Sequence, residues 1–450
     1  MENKSNFNIK NTKVAFLTLG CKVNSYETEA MQALLLAAGA VLVEFQEVAD
    51  IYVVNTCSVT NMADRKSRQM LHRAKKKNPE AIVVAAGCYA QTAEESVMKE
   101  NGIDVVIGNN QKKQIVEILE NFMAGVENKR LEIGKETEYE ELSLDTQVEH
   151  TRAYIKIQDG CNQFCSYCII PYARGRIRSR NPQDVVEEVK RLAQNGYQEI
   201  VLTGIHLSSY GKTSYEKTIS EDKQPLLELI QEINGVEGIK RIRLGSLEPR
   251  IITEKFVKTL VECKKVCPHF HLSLQSGSDT VLARMNRKYT TEEYASSVEL
   301  LKNYYEAPAI TTDIIVGFPK ETEEEFLETM EFAKRIGFSK IHVFKYSRRK
   351  GTVADKMSGQ VDEQVKQSRS DRLMALETEL GEAYREQFLG KEEQVLFEEA
   401  AVVDGEVCQV GYNERYVRIA VKTTENMSNC IETVRIIEKA REQETLLAKI

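Results

Sequence analysis

Apolar strand-like runs alternate with helical patterns over most of this 450-residue chain, and the first three such strands each run into a cysteine. The spacing predicts strands over residues 14–19, 51–54 and 81–86, with helices over 27–38 and 65–77 between them. This alternation is the signature of a parallel sheet covered by helices. The strands close with Leu19-Gly20-Cys21, Asn55-Thr56-Cys57 and Gly87-Cys88. Open α/β sheets bind ligands beyond the carboxyl ends of their strands, so the three thiols are expected to converge on one crevice.

Residues 125–150 break the pattern with seven glutamates, one aspartate and little apolar periodicity, and read as a linker or irregular excursion. Strand-like runs then recur at 154–157, 199–202, 241–244, 270–274, 310–316 and 340–344, with helical patterns between them. Six β/α units predict an open barrel, with its chemistry at the carboxyl ends of the strands. From about 379 the pattern becomes short alternating runs, such as 393–397 and 416–421, which predict a small β module. The expected division is 12–124, an acidic linker 125–147, a barrel 148–378 and a β module 379–447, an α/β chain overall. A chain this long is expected to split into two or three cores.

The start, residues 1–10, is polar and lacks a secretory pattern, and no apolar run approaches the ~18 residues of a membrane span. A cytoplasmic protein without a membrane partner is expected. Ten cysteines in that compartment point to metal ligands or reactive groups before disulfides. The tightest group is Cys161-Asn-Gln-Phe-Cys165-Ser-Tyr-Cys168, directly after the first barrel strand. Three thiolates in one loop suit a four-iron cluster and leave one iron open to a substrate or cofactor. A structural zinc site is the alternative, but it wants four ligands, and no cysteine or histidine occurs in the 30 residues that follow.

The C-x3-C-x2-C loop resembles that of the radical S-adenosylmethionine superfamily. The resemblance implies a cluster on Cys161, Cys165 and Cys168 whose open iron holds S-adenosylmethionine and whose electron releases a 5′-deoxyadenosyl radical. It also implies cofactor contacts from Tyr167, from Gly204 in Thr203-Gly204, and from Glu248 and Gln275 at later strand ends. Leu19-Gly20-Cys21-Lys22-Val23-Asn24-Ser25-Tyr26-Glu27-Thr28-Glu29, with Asn55-Thr56-Cys57 and Gly87-Cys88, resembles the amino-terminal domain of the methylthiotransferases. The Lys-Val-Asn-Ser-Tyr-Glu-Thr-Glu version is similar to the branch acting on threonylcarbamoyladenosine in tRNA. A second four-iron cluster on Cys21, Cys57 and Cys88 follows. The runs 271–278, 285–290, 313–319 and 347–352 extend the resemblance along the chain, and the tail is similar to the RNA-binding β-barrel module called TRAM.

The implied reaction adds a methylthio group at C2 of N6-threonylcarbamoyladenosine in a tRNA anticodon loop, with an electron donor and a sulfur donor as further partners. The rivals are isopentenyladenosine in tRNA, an aspartate of a ribosomal protein, or a non-catalytic iron-sulfur scaffold for RNA. Arg174, Arg176, Arg178 and Arg180, the stretch 65–77, and Arg348, Arg349 and Lys350 are candidate phosphate contacts. Tyr412, Arg415, Tyr416 and Arg418 are candidates for a stacking surface in the tail. Residues 376–450 carry 16 acidic and 9 basic groups, a balance that suits a basic protein better than RNA. Cys263 and Cys267 at helical spacing, Cys408 and Cys430 in the β module, and His269 and His271 are expected to serve packing.

Overall fold

The computed structural model describes residues 9–94, 102–126, 138–145, 151–212, 224–441 and 444–450. The amino-terminal sheet has five parallel strands in the order β2-β1-β3-β4-β5. They are β1 (Lys13–Thr18), β2 (Val41–Val43), β3 (Ile51–Thr56), β4 (Ile82–Ala86) and β5 (Val105–Ile107). Strand β3 is buried along its whole length, as a strand covered on both faces must be. Helix α1 (Lys22–Ala37) follows β1, α2 (Asn61–Lys77) follows β3 and the short α3 (Gly87–Thr92) follows β4. Strand order reverses between β1 and β3, the place where such sheets open a crevice. Strands β2 and β5 were not expected: at three residues each, they are too short to show an alternation.

The second unit is an open barrel of six parallel strands: β6 (Ala153–Asp159), β8 (Glu199–Gly204), β9 (Arg241–Leu244), β10 (His269–His271), β11 (Ala309–Val316) and β12 (Lys340–Lys345). The two-residue β7 (Arg178–Ser179) pairs antiparallel with β6 at the edge. Hydrogen-bonded ladders join β6-β8-β9 and β10-β11-β12, and parallel bridges from Ile242 to Val266 and Leu247 to Leu272 connect the two groups. Side chains such as Phe270, Leu272 and Leu274 point outward into the apolar layer under the helices, which leaves alternate positions facing the lumen. Among the described residues no helix is long and apolar enough to cross a membrane.

The helix Glu363–Glu386 runs through the boundary expected at 378/379, because helix-forming residues continue past it. The tail then closes into a five-stranded barrel, β13-β14-β15-β17-β16. Its strands are β13 (Glu392–Val403), β14 (Glu406–Asn413), β15 (Arg418–Lys422), β16 (Ile431–Lys439) and β17 (Thr445–Lys449). Most of the acidic segment 125–147 lies outside the described residues. Its described part, 138–145, is packed: Leu142 and Leu144 are buried, and Tyr26 donates its hydroxyl hydrogen to the Leu142 carbonyl at 2.6 Å. Cys263 and Cys267 are both buried as expected, but the helix Glu254–Glu262 ends before them, so they share no helical face. Cys408 is core, whereas Cys430 is exposed, against expectation.

Candidate active site

Cys21 caps the start of α1, Cys57 follows β3, and Cys88 lies in the first turn of α3. The expected convergence is present. A side chain on Gly20, whose φ is +107°, would stand 3.0 Å from the Cys57 sulfur. Burial pushes the Cys57 thiol up to about 11, and Cys88 and Cys21 push in the same direction. Burial also raises the Cys21 thiol, which opens into a cavity. Donors aim at the sulfurs: Arg174 Nε donates to Cys88 Sγ at 3.3 Å and Asn109 Nδ2 at 3.7 Å. Asn24 braces the crevice by donating to the carbonyls of Leu19 at 2.6 Å and Thr56 at 3.1 Å.

The Cys161, Cys165 and Cys168 loop follows β6. It turns at Gly160, whose φ is +71° and where a Cβ would lie 1.8 Å from the Arg176 carbonyl oxygen, so only glycine fits. Asn286 Nδ2 donates to the Phe164 carbonyl at 3.0 Å, and Ser166 N donates to the Met285 carbonyl at 3.0 Å. Arg287 Nη1 donates to Cys165 Sγ at 3.2 Å, and the Gln163 amide donates to Cys161 Sγ at 3.4 Å. Burial pushes the Cys161 and Cys168 thiols up to about 12, and Cys165 acts in the same direction on both. Each trio therefore offers three neighbouring thiols with hydrogen-bond donors already in place, a donor set that fits a thiolate-held cluster and carries no fourth nitrogen or sulfur ligand in the loop.

A cavity of about 900 Å³ is lined by Cys21 together with Tyr167, Gly204 and Gln275. Tyr167 packs edge-on against Phe318 at 6.4 Å. A Cβ on Gly204 would lie 2.9 Å from Gln158 Cβ, so this strand end has no room for a side chain. Gln275 holds a φ of +74°, a strained conformation for a residue with a side chain, which is typical of functional positions. Glu248 does not line the cavity. It receives Gln163 Nε2 at 3.1 Å and pairs with Arg250 at 2.8 Å and His206 at 3.3 Å. Burial raises its carboxyl, but the hydrogen bond and charge of His206, with Arg250 and Arg287, hold it at about 2.

Several cations read as phosphate contacts are spent inside the protein. Arg174 is fully buried and bonds Glu27, Asp159, Asn24 and Cys88. Arg178 is buried beside Asp159, and Arg180 is buried against Glu188 and Glu141. Arg349, also buried, donates to Ser58 Oγ at 2.7 Å, Asn61 Oδ1 at 2.8 Å and Asp64 Oδ2 at 2.7 Å, tying the loop after Cys57 to the barrel. Arg65, Lys66, Arg73 and Lys76 on α2 remain exposed. Tyr412 and Tyr416 stack at 4.7 Å, and Arg152 and Arg243 each lie 4.7 Å from the Tyr416 ring centre. The expected stacking surface is thus turned inward onto the barrel. Asn24, Glu27 and Arg287 had no expected role at the site, and Arg174 and Arg349, expected to contact phosphate, are buried in it. The available signal was polar side chains at helical spacing after Cys21, on a face that also carries apolar residues.

An open β/α barrel with a three-cysteine loop after its first strand, flanked by a sheet bearing three more thiols, defines a radical S-adenosylmethionine enzyme with a second sulfur-rich site. The chain matches the Radical SAM superfamily over residues 155–333 and the Uncharacterized protein family UPF0004 over residues 13–108. It is 43% identical to the "Threonylcarbamoyladenosine tRNA methylthiotransferase MtaB" of Bacillus subtilis, covering 94% of each chain. The Aquifex aeolicus protein of the same name is 42% identical, over 85% of this chain and 92% of that one. A "tRNA-2-methylthio-N(6)-dimethylallyladenosine synthase" of Alkaliphilus oremlandii is 36% identical, over 95% of this chain and 91% of that one. This chain belongs to the radical S-adenosylmethionine tRNA methylthiotransferases, enzymes that use a four-iron cluster and S-adenosylmethionine. The fold is also similar to the radical S-adenosylmethionine methyltransferase TsrM of Kitasatospora setae, with a TM-score of 0.56 at 16% identity, covering 75% of this chain and 76% of that one.

Proposed function

We propose that this enzyme converts N6-threonylcarbamoyladenosine beside the anticodon of tRNA to its 2-methylthio derivative, using two four-iron clusters. The observation that carries the reading is the shared cavity, which both Cys21 of one trio and Tyr167 of the other trio's loop line. Cys161, Cys165 and Cys168 hold the cluster that binds S-adenosylmethionine, and Cys21, Cys57 and Cys88 hold the second. When bound, these groups supply a 5′-deoxyadenosyl radical and a methylated sulfur, chemistry that side-chain acids and bases cannot provide at an adenine C–H bond.

The chain's own residues position and shield. Gly160 and Gly204 allow close backbone approach, Tyr167 supplies an aromatic wall, Gln275 presents a polar group to the cofactor region, and Glu248, outside the cavity, holds Gln163 of the cysteine loop. Arg287 and Arg174 donate to cluster sulfurs, which stabilises the thiolate form. The units proposed with this reading are 12–124, 125–147, 148–378 and 379–447, the last being the TRAM-like module, with the helix Glu363–Glu386 carried across the final boundary. Two relatives named for that substrate, 43% and 42% identical to this chain, support threonylcarbamoyladenosine as the substrate.

The test is anaerobic reconstitution with tRNA, followed by nucleoside mass spectrometry and measurement of 5′-deoxyadenosine. Cys165→Ala is expected to abolish cofactor cleavage, whereas Cys57→Ala loses methylthio transfer while 5′-deoxyadenosine still forms. Loss of cleavage in both variants contradicts the division of labour. Absence of the methylthio-threonylcarbamoyl nucleoside from the wild-type reaction contradicts the substrate.

A further inference from the structure

His271, Asp313 and His342 form a polar layer across the three last strands of the barrel. Asp313 on β11 is in register with His342 on β12, and His271 on β10 is in register with Thr311 on β11. Alternate residues of a strand share a face, so all four side chains point to the lumen, and all four line the cavity. His271 Nδ1 lies 3.0 Å from Thr311 Oγ1 and its Nε2 lies 3.3 Å from Asp313 Oδ2. The His342 ring sits 5.9 Å from that of His271, and one donor atom from each of His271, Asp313 and His342 lies within 4.8 Å of the others. His342 is exposed to the cavity, and its ring makes no hydrogen bond to the described residues.

We infer that this layer recognises the amino-acid end of the threonylcarbamoyl group, so that it separates this substrate from a dimethylallyl one. The inference rests on the functional reading above. That end of the base carries a carboxylate, a hydroxyl and a ureido N–H. It needs donors for the first and an acceptor for the others. His342, whose ring is uncommitted, is the donor, and Asp313, oriented by His271, which the Thr311 hydroxyl holds in turn, is the acceptor. Two of the cations that line the cavity are already engaged: Lys340 with Glu377 at 3.0 Å and Glu444 at 2.8 Å, and Arg385 with Glu444 at 3.7 Å. Within the layer itself, His342 is the side chain left to meet the carboxylate.

The same layer rejects a dimethylallyl group. An apolar substituent would strip water from Asp313 and His342 and return no hydrogen bond. Sites built to hydrogen-bond a substrate discriminate against the analogue lacking those groups by roughly 10⁴–10⁵. Relatives with either printed substrate share 36–43% identity with this chain, so the fold and the thiols alone do not make the choice.

The test uses reconstituted full-length enzyme and anticodon stem-loops carrying adenosine, its threonylcarbamoyl form or its dimethylallyl form. Dissociation constants and kcat/KM are measured for wild type, His342→Phe, His342→Gln, Asp313→Asn and Lys22→Met. The wild type should prefer the threonylcarbamoyl RNA over the adenosine one. His342→Phe should collapse that preference at least tenfold, Asp313→Asn should lower it, and His342→Gln, which keeps a donor, should restore most of it. Equal weakening on all three RNAs would mean a structural defect and overturn the inference. So would unchanged ratios in the layer variants, or the effect falling on Lys22→Met, which lines the same cavity next to Cys21. A divalent metal retained in stoichiometric amount by wild type and lost in His342→Phe would overturn it in favour of a metal site. A wild type that prefers the dimethylallyl RNA overturns the functional reading itself, and this is visible before any variant is compared.

Discussion

Replacing Glu27 by Gln should weaken the whole enzyme more than any surface change, because this one carboxylate joins the sheet to the barrel. Glu27 is fully buried in α1 and accepts from Arg174 at 2.8 Å and from Lys156 at 2.7 Å, with Lys112 at 3.1 Å. Burial acts to raise its carboxyl, but Arg174, Lys112 and Lys156 outweigh that and hold it well below the ordinary carboxylate range. Glu27→Gln keeps the shape and removes the charge. Arg174 and Lys156 then retain Asp159 as a bonded carboxylate, and Lys112 loses its ion partner. Breaking a buried pair from one side costs about 3–5 kcal/mol, because the remaining charge stays desolvated. At roughly 2–4 °C per kcal/mol, the melting point should fall by roughly 6–20 °C. Scanning calorimetry under anaerobic conditions reads this directly. The double variant Glu27→Gln/Lys112→Met should regain part of the loss, since neighbours in one network couple by about 0.5–3 kcal/mol. A depressed carboxyl contributes fully above its unfolded value of 4.5 and fades as pH falls towards the folded value. The gap between wild type and Glu27→Gln should thus be flat at neutral pH and shrink only in acid below about 4.5. A fall of less than about 2 °C, or a gap that closes near neutral pH, would refute the reasoning.

Two further expectations concern the thiols. Burial raises Cys161 and Cys168 from 9.0 to about 12 and Cys57 to about 11, so above pH 9 the unfolded chain sheds protons that the folded, metal-free chain keeps. Its stability should decline as pH rises above 9, whereas the cluster-loaded protein, with ionised sulfurs, should show a flatter profile; denaturant titrations at neutral and alkaline pH compare them. Gly160→Ala places a Cβ 1.8 Å from the Arg176 carbonyl oxygen at a φ of +71°, so it should displace the cysteine loop and reduce iron bound per chain after reconstitution. An iron content equal to wild type would show that the loop does not need this turn.

The parts of the fold that were legible in sequence are those written in periodicity. The strands β1, β3 and β4 and all six barrel strands stand out because each is long or apolar enough to show its pattern, and the cysteines are tied to strand ends where ligands collect. What was not legible depends on contacts between units. Arg174 follows the cysteine loop and reads as an exposed cation in a basic run, yet it is buried because Glu27 and Asn24, some 150 residues earlier, meet it. Arg349 reads the same way and is buried by Ser58 and Asp64. His271, Asp313 and His342 come from three strands, and only the register of those strands makes them one group.

The same logic accounts for the acidic tail, which suggested a basic protein partner. Its carboxylates are engaged by the barrel: Glu398 with Arg152 at 2.8 Å and Glu444 with Lys340 at 2.8 Å. Its backbone is engaged too, since Arg241 donates to the carbonyls of Gln394 at 2.7 Å and Tyr412 at 3.1 Å, and Arg243 to that of Glu414 at 2.9 Å. Arg152, Arg241 and Lys340 lie at or just before the starts of their strands, the end away from the cysteine loop, and Arg243 follows two residues along β9. Tyr416 closes that end of the lumen, held at a φ of +64° between His269 at 5.2 Å and Tyr412 at 4.7 Å. An acidic module on a cationic rim is charge complementarity within one chain. The pairs of Glu398 with Arg152 and Glu444 with Lys340 thus use part of that acidity to seat the module on the floor of the cavity.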